Sequence, residues 1–276
     1  MPQSASLSTC PICHIANFGR PANEYSVAPW VLKTCAACSM VYLENPPAYE
    51  DLKEELAWER TFAEESKARR KRNPVLYKLG RMPKALVQRL FKRDKLVALT
   101  RKYIAPGRVL DVGCGWGHTL ETLPPEYVPC GIEISAELSA VAQARFVPRG
   151  GFCVSADGLS GLRGLQAGMF SGVIMTSYLE HEVHVGEVLV ETARVMQPGA
   201  RLIVKVPNYA SWNRGLRGAK WCGFRYPDHV NYFTPELLVR LMEQSGFRVG
   251  RFGVGDRLPT SDTMWMVAEV AASRRA

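Results

Sequence analysis

The sequence predicts an α/β protein built on a doubly wound, mostly parallel sheet, and two observations support this fold class. From about residue 105 onward, apolar segments with strand character alternate with amphipathic helical segments. Within residues 109–120, an apolar run is followed by three closely spaced glycines and then by a helical pattern. Such a strand, glycine loop and helix let a ligand approach the backbone at the carboxyl end of the strand.

The strands and helices of this part of the chain can be placed in order. Five strands separated by helical segments are predicted at residues 108–112, 128–133, 151–155, 170–176 and 200–206. A helix is predicted at residues 235–245, ending at Gly246. Two further strands, at residues 247–254 and 263–270, are expected to form a late hairpin. The sheet therefore has seven predicted strands.

Four of the eight cysteines form two closely spaced pairs near the N-terminus. Cys10 with Cys13 and Cys35 with Cys38 each have C-x-x-C spacing, and 21 residues separate the pairs. Each pair can form a knuckle that presents two thiolates, and two knuckles complete a tetrahedral shell for zinc. We expect this zinc to be structural, because four thiolates leave no open position. Chance pairing of buried cysteines and redox chemistry of one pair are the weaker alternatives. His14 stands where such knuckles often have a glycine.

Positive charge is concentrated between the cysteine pairs and the glycine loop. Residues 60–105 contain 15 Lys and Arg against 3 Asp and Glu, in a chain whose formal net charge is +9. Three roles are open for this region: a solvated helical cover over the active site, contact with an anionic membrane, or contact with RNA. We favour the first, because charged helix faces are usually only solvated. The expected organisation is a zinc ribbon at residues 1–48, a basic helical cover at 49–104 and the α/β domain at 105–276.

A cytoplasmic location is expected. No apolar run approaches the roughly 18 residues that a membrane-spanning helix needs. The first ten residues also lack the charged and apolar blocks of a signal peptide.

The glycine loop suits a cationic cofactor better than a pyrophosphate. In the dinucleotide-binding fingerprint a third glycine follows the second by three residues, and this chain has His118 there. Asp111 would also place negative charge near a pyrophosphate. The segment with Asp111, Gly113, Gly115 and Gly117 resembles motif I of the class I S-adenosylmethionine-dependent methyltransferases. In that family the acid and the glycine loop hold the methionine part of the cofactor.

The resemblance implies the remainder of the cofactor site. Glu133 ends the second predicted strand, 22 residues after Asp111, where a carboxylate can accept hydrogen bonds from both ribose hydroxyls. Ile134 would then pack on the adenine face. Asp157 follows the third strand, where the acid of the family accepts a hydrogen bond from the adenine amino group, although Asp before Gly is also ordinary turn chemistry. The family's sheet implies the strand order 3-2-1-4-5-7-6.

Two histidines are candidates for the general base. Leu179, Glu180 and His181 resemble a signature of the group that includes the ubiquinone-pathway O-methyltransferases, which often have a second histidine in a later aromatic-rich stretch, here His229. Methyl transfer needs a positioned nucleophile that loses its proton, and histidine suits that role near neutral pH. We favour His229 over His181, because its loop is expected to cover the acceptor. Capping or packing is the alternative role for each.

The expected activity is methyl transfer from S-adenosylmethionine to an oxygen of a small molecule, sugar or lipid-like acceptor. After the fourth predicted strand the chain lacks both the Asn/Asp-Pro-Pro-aromatic segment usual for nucleobase amino groups and the Pro-Cys nucleophile usual for cytosine. Nitrogen and carbon acceptors stay open. One alternative function is that of an RNA methyltransferase, which would bind RNA through the zinc ribbon and the basic helices. The other is a non-catalytic cofactor-binding scaffold.

Overall fold

Strands and helices alternate along most of the chain in the computed structural model, which describes residues 7, 9–17, 19–47 and 95–271. In these residues the strands are β1 Leu32–Thr34, β2 Val41–Leu43, β3 Gly107–Val112, β4 Tyr127–Glu133, β5 Phe152–Ser155, β6 Phe170–Thr176, β7 Met196–Pro207, β8 Asn231–Tyr232, β9 Phe247–Phe252 and β10 Thr263–Val270. The helices are α1 Lys95–Tyr103, α2 His118–Glu121, α3 Ala136–Phe146, α4 Gly158–Arg163, α5 Val185–Val195, α6 Trp212–Arg217, α7 Pro235–Gln244 and α8 Val254–Arg257.

A seven-stranded sheet organises the α/β part of the molecule. Its order is β5-β4-β3-β6-β7-β10-β9. The first five of these strands pair in parallel, and β10 is antiparallel to both β7 and β9. Counted along the chain from β3, but without the short β8, this order is 3-2-1-4-5-7-6, so the predicted fold class and topology are confirmed. Parallel strands place their carboxyl ends at one edge, where ligands bind in such sheets.

The predicted boundaries agree with the structure to within one residue except at two strands. The strand predicted at 200–206 begins earlier, at Met196, because Met196 pairs with Phe170 across an irregular register before the regular pairing resumes. The strand predicted at 247–254 ends at Phe252, because Gly253 turns the chain into the short helix α8. Helix α7 begins where expected, since the Thr234 hydroxyl accepts a hydrogen bond from the Leu237 N–H at 3.3 Å.

A second, three-stranded sheet joins the N-terminal segment to a late part of the chain. Its order is β1-β2-β8, with Val41 opposite Tyr232 and Tyr42 opposite Asn231. Trp221 and Val230 pack with the strand residues of this sheet in one buried apolar cluster. The sequence did not predict β1 or β8, because strands of two or three residues carry too short a pattern. Residues 32–43 and residues 221–232, which are far apart in sequence, therefore share a core.

Part of the predicted organisation lies outside the described residues. Of the basic helical cover at 49–104 and the basic region 60–105, the structure describes only the stretch from residue 95 onward, which contains α1. The division at residues 48 and 104 stays a prediction. None of the helices in the described part of the chain combines the length and apolar composition needed to cross a bilayer.

Candidate cofactor and acceptor site

A cavity of about 470 Å³ lies at the carboxyl edge of the main sheet. This volume falls within the roughly 300–1,000 Å³ typical of small-molecule sites. We call one side the glycine-loop wall, formed by cavity-lining residues within 113–119, 132–138 and 156–158. We call the other side the histidine wall, formed by cavity-lining residues within 46–47, 176–183 and 227–230.

The three glycines of the loop have left-handed backbones but different surroundings. Gly113, Gly115 and Gly117 have φ values of 75°, 56° and 79°. A Cβ on Gly115 would have no heavy atom within 4 Å, and Gly115 lines the cavity, so its backbone is accessible to a ligand. A Cβ on Gly117 would approach the Phe146 ring to 2.7 Å, and Gly117 does not line the cavity. Gly117 therefore provides room for packing.

Glu133 connects the glycine loop to the end of β4. Its carboxylate accepts hydrogen bonds from the Gly115 N–H at 2.8 Å and the Ser135 N–H at 3.0 Å. The side chain lines the cavity, and the half-buried Ile134 lines it next to Glu133. Asp157 also lines the cavity and accepts a hydrogen bond from the Ser160 N–H at 2.9 Å, which makes it the N-cap of α4. The structure thus brings these three predicted residues to one wall.

Asp111 is located differently from the other predicted cofactor residues. Its side chain is buried and is not among those that line the cavity. Its Oδ1 atom makes no hydrogen bond within the described residues. Burial raises the pKa of Asp111 well above its ordinary value, and the nearby Glu133 and Cys153 raise it further. The predicted contact of Asp111 with the methionine part of a cofactor stays a prediction.

The two predicted histidines are adjacent but occupy different positions. His181 lines the cavity, whereas His229 is buried and does not line it. Their rings meet edge to face with centroids 4.7 Å apart. Nδ1 of His181 lies 2.8 Å from the Asp228 carbonyl oxygen, and Nδ1 of His229 lies 2.8 Å from that of Gly223. Because a carbonyl only accepts, each Nδ1 carries a proton, and each neutral ring keeps an unprotonated Nε2.

Burial controls the ionisation of this pair and of the neighbouring carboxyl group. Burial lowers the pKa of His181 to about 4, with a further contribution from Arg225. Burial, His181 and Arg225 hold the pKa of His229 well below its ordinary value. Burial raises the pKa of Glu180 to about 8, although Lys205 and Arg225 act in the opposite direction. Both imidazoles are therefore neutral at neutral pH.

Tyr178 crosses from the histidine wall to the glycine-loop wall. Its hydroxyl donates a hydrogen bond to the Glu182 carboxylate. A Cβ on Gly113 would lie 2.9 Å from the Tyr178 ring, and a Cβ on Gly158 would lie 1.8 Å from its hydroxyl oxygen. The ring therefore fits only because both positions are glycine. The preceding Ser177 has a φ of 55°, which is rare for a residue other than glycine.

Sequence reasoning missed several residues of the histidine wall. Glu182, the hydrogen-bond partner of Tyr178, lines the cavity, as do Pro46 and Pro47 from the N-terminal segment. No local pattern marks Pro46 and Pro47 as site residues, because an adjacent Pro pair is an ordinary turn signal. The pairing of β2 with β8 accounts for their presence, since it holds the N-terminal segment against the loop that contributes residues 227–230.

The N-terminal cysteines form a compact cluster. The Sγ atoms of four residues all lie within 4.8 Å of one another: Cys10, Cys13, Cys35 and Cys38. The two closest pairs of sulfurs are 3.5 Å and 3.4 Å apart. Zinc–sulfur bonds of about 2.3 Å place tetrahedral ligands about 3.8 Å apart, so the cluster fits zinc. His14 and Ser39 follow the two knuckles with φ values of 58° and 61°, the backbone region that favours glycine.

The sheet order and the glycine loop after β3 define the class I methyltransferase fold. A family model described as "Methyltransferase domain" matches residues 77–250, more than half of the chain. The chain therefore belongs to this methyltransferase family, and its main sheet has the class I strand order. No curated protein sequence matches it.

Solved structures share this fold at low sequence identity. An S-adenosylmethionine-dependent methyltransferase from Methanosarcina mazei is 20% identical with a TM-score of 0.51, over 63% of this chain and 98% of that chain. A proposed methyltransferase from Bacillus halodurans is 14% identical with a TM-score of 0.51, over 64% and 99%. The cyclase SpnF is 18% identical with a TM-score of 0.50, over 65% and 82%. At such identities the likeness concerns the fold alone.

Proposed function

We propose that this chain transfers a methyl group from S-adenosylmethionine to an oxygen atom of a small-molecule, sugar or lipid-like acceptor. The observation that carries the proposal is the Glu133 carboxylate on the cavity wall, held by the N–H groups of Gly115 and Ser135. A buried carboxylate fixed by backbone donors is ready to accept hydrogen bonds from a diol without reorganisation. The cavity size and the open space beside Gly115 support the same ligand.

The glycine-loop wall would bind the donor. When bound, S-adenosylmethionine supplies a methyl group activated on a sulfonium. Glu133 would accept hydrogen bonds from the ribose hydroxyls, Ile134 would pack on the adenine ring and Asp157 would accept a hydrogen bond from the adenine amino group. Gly113 and Gly115 let the methionine part approach the backbone, and Asp111 contributes negative charge near it. In this arrangement Gly117 supports the loop from behind.

The histidine wall would bind the acceptor and assist loss of its proton. The acceptor oxygen would take the methyl group that S-adenosylmethionine supplies, and Nε2 of His181 would accept the proton that this oxygen loses. We assign this role to His181 rather than His229, because His181 lines the cavity and His229 lies behind it. Hydrogen bonding to the Asp228 carbonyl orients the His181 ring for this role.

A structural zinc ion belongs to the same proposal. Cys10, Cys13, Cys35 and Cys38 would hold it and stabilise the segment that brings Pro46 and Pro47 to the cavity. A contact of the basic region 60–105 with an anionic membrane or RNA stays a prediction, since most of that region lies outside the described residues.

Calorimetry with a matched pair of variants tests the donor site. Glu133→Ala should weaken S-adenosylmethionine binding at least about 10-fold, because hydrogen bonds to a charged group contribute about 1.5–3 kcal/mol. Glu137→Ala removes an exposed carboxylate four residues away and should leave the affinity unchanged. Equal affinities of the wild type and Glu133→Ala would refute the cofactor assignment.

A labelling screen tests the acceptor. The protein is incubated with cell extract and methyl-labelled S-adenosylmethionine, and the labelled product is isolated and identified. A methyl ether or ester supports the proposal, whereas a methylated nitrogen or carbon would contradict the oxygen acceptor. With the identified acceptor, His181→Ala should lower turnover at least about 100-fold while sparing cofactor affinity.

A further inference from the structure

Glu180, His181 and His229 form a second cluster of potential metal ligands, separate from the cysteines. One oxygen or nitrogen from each residue lies within 4.8 Å of the others. The cluster lies at the histidine wall, and only His181 of the three lines the cavity. Two histidines and one carboxylate leave open positions on a first-row divalent cation.

One carboxylate oxygen of this cluster is buried without a hydrogen-bond partner in the described part of the chain. Glu180 is 1% exposed, and its Oε2 atom makes no hydrogen bond in the described part of the chain. A buried polar oxygen without a partner is costly, and such atoms in native proteins commonly have a water or ion beside them. The residue lies next to His181 in sequence, whereas His229 is 48 residues further along.

The two imidazoles are oriented as metal-binding histidines are. Each Nδ1 donates a hydrogen bond to a backbone carbonyl, from Asp228 in one case and Gly223 in the other. This arrangement fixes the tautomer and leaves Nε2 as the electron-pair donor. The edge-to-face contact of the rings holds the two side chains together.

We propose that Glu180, His181 and His229 bind a first-row divalent cation at the acceptor side of the cavity. Metal–ligand bonds of about 2.0–2.2 Å place donors about 3–3.5 Å apart, and the donors of this cluster already lie within 4.8 Å of one another. The positive charge of Arg225 disfavours binding of a cation nearby. Its ion pair with Asp228, at 3.3 Å, offsets part of that charge. The inference rests on the proposed function and changes one role in it: Nε2 of His181 binds the cation and no longer accepts the proton of the acceptor.

Manganese binding to the full-length protein tests this site. Mn²⁺ prefers oxygen and nitrogen ligands, so it leaves the cysteine cluster undisturbed. The protein as purified is dialysed against Mn²⁺ without any chelator, free ion is removed by gel filtration, and bound ion is measured by electron paramagnetic resonance. We expect one ion per wild-type chain and at least 10-fold weaker binding in His229→Gln and in His181→Gln. The control His184→Gln, which removes an exposed histidine of the same segment, should bind like the wild type.

The outcomes separate this inference from the proposed function. If the wild type and both cluster variants bind Mn²⁺ equally, or none binds it, the metal site is refuted. Calorimetry with S-adenosylmethionine on the same preparations checks folding and donor binding. Binding of S-adenosylmethionine without a specific Mn²⁺ site overturns only the metal site, whereas its failure to bind to the wild type overturns the proposed function. If His229→Gln fails to fold, His181→Gln, at a partly exposed position, still decides the question.

Discussion

The glycine-loop wall and the histidine wall line the same cavity but are built in different ways. The first comes from the ends of three neighbouring parallel strands, and its key contact is between backbone N–H groups and Glu133. The second combines segments 46–47, 176–183 and 227–230, and its key groups are buried side chains that titrate. A wall made from strand ends can be recognised by spacing along the chain. A wall made from distant segments depends on how those segments pack.

Removal of the zinc ligands should disturb the histidine wall much more than the glycine-loop wall. Structural zinc contributes an apparent folding free energy of about 10–16 kcal/mol in small modules, so the variant with Cys10→Ser and Cys35→Ser should lose the fold of the N-terminal segment. We expect turnover to fall more than 10-fold, because Pro46 and Pro47 leave the histidine wall. S-adenosylmethionine affinity should stay within several-fold of the wild type. Metal analysis, calorimetry and circular dichroism measure these effects.

Two different results would contradict this prediction. Wild-type protein that contains no zinc and is still fully folded would refute the zinc site. A double variant that loses S-adenosylmethionine binding and turnover to the same extent would show that the two walls form one cooperative unit.

Gly158→Ala should disturb the place where the two walls meet. The new Cβ would lie 1.8 Å from the Tyr178 hydroxyl oxygen, so Tyr178 must move and its hydrogen bond to Glu182 is disturbed. Overpacking of this kind costs about 1–3 kcal/mol, and we expect a lower melting temperature and weaker cofactor binding. The added change Tyr178→Ala should restore part of both losses. Gly186→Ala, which meets no heavy atom within 4 Å, is the matched control. Wild-type stability of Gly158→Ala would contradict the contact.

Asp111→Asn should stabilise the free protein at neutral and alkaline pH. Because burial and Glu133 raise the folded-state pKa of Asp111, ionisation of this carboxyl costs stability as the pH rises above its unfolded value. The gain from Asn should be on the order of 1 kcal/mol and should shrink as the pH falls toward 4. Melting curves from pH 4 to 8.5 measure it.

The same variant tests the predicted role of Asp111 in binding. Weaker S-adenosylmethionine affinity together with higher stability would assign the buried carboxylate to cofactor binding. A stability gain that does not change with pH would contradict the titration of Asp111 as its cause.

Two changes at Asp157 should give the smallest effects and separate its two roles. Asp157→Ala removes the N-cap of α4 and should cost about 1 kcal/mol of stability. Asp157→Ser keeps a capping oxygen and should recover that stability. If Asp157 also accepts a hydrogen bond from adenine, cofactor affinity stays several-fold low in Asp157→Ser. Full recovery of affinity in Asp157→Ser would leave capping as its only role.

Much of the fold and one half of the site follow from local sequence patterns. Two predicted strands have the same bounds in the structure, and the sheet order implied by the family resemblance is the observed one. Glu133, Ile134 and Asp157 line the cavity as the strand ends predict. Such patterns are informative because strand ends, glycine turns and cysteine knuckles are each encoded within a few residues.

The other half of the site is decided by tertiary packing. From the sequence we favoured His229 over His181 as the general base, but the structure places His181 at the cavity and His229 behind it. It also buries Asp111 away from the cavity and leaves an oxygen of Glu180 unpartnered in the described structure. The sequence alone determined the methyltransferase family, the glycine loop after β3 and the paired cysteines. Only the packing of distant segments decided which side chains meet at the acceptor, because contacts between residues far apart in sequence leave no periodic signal.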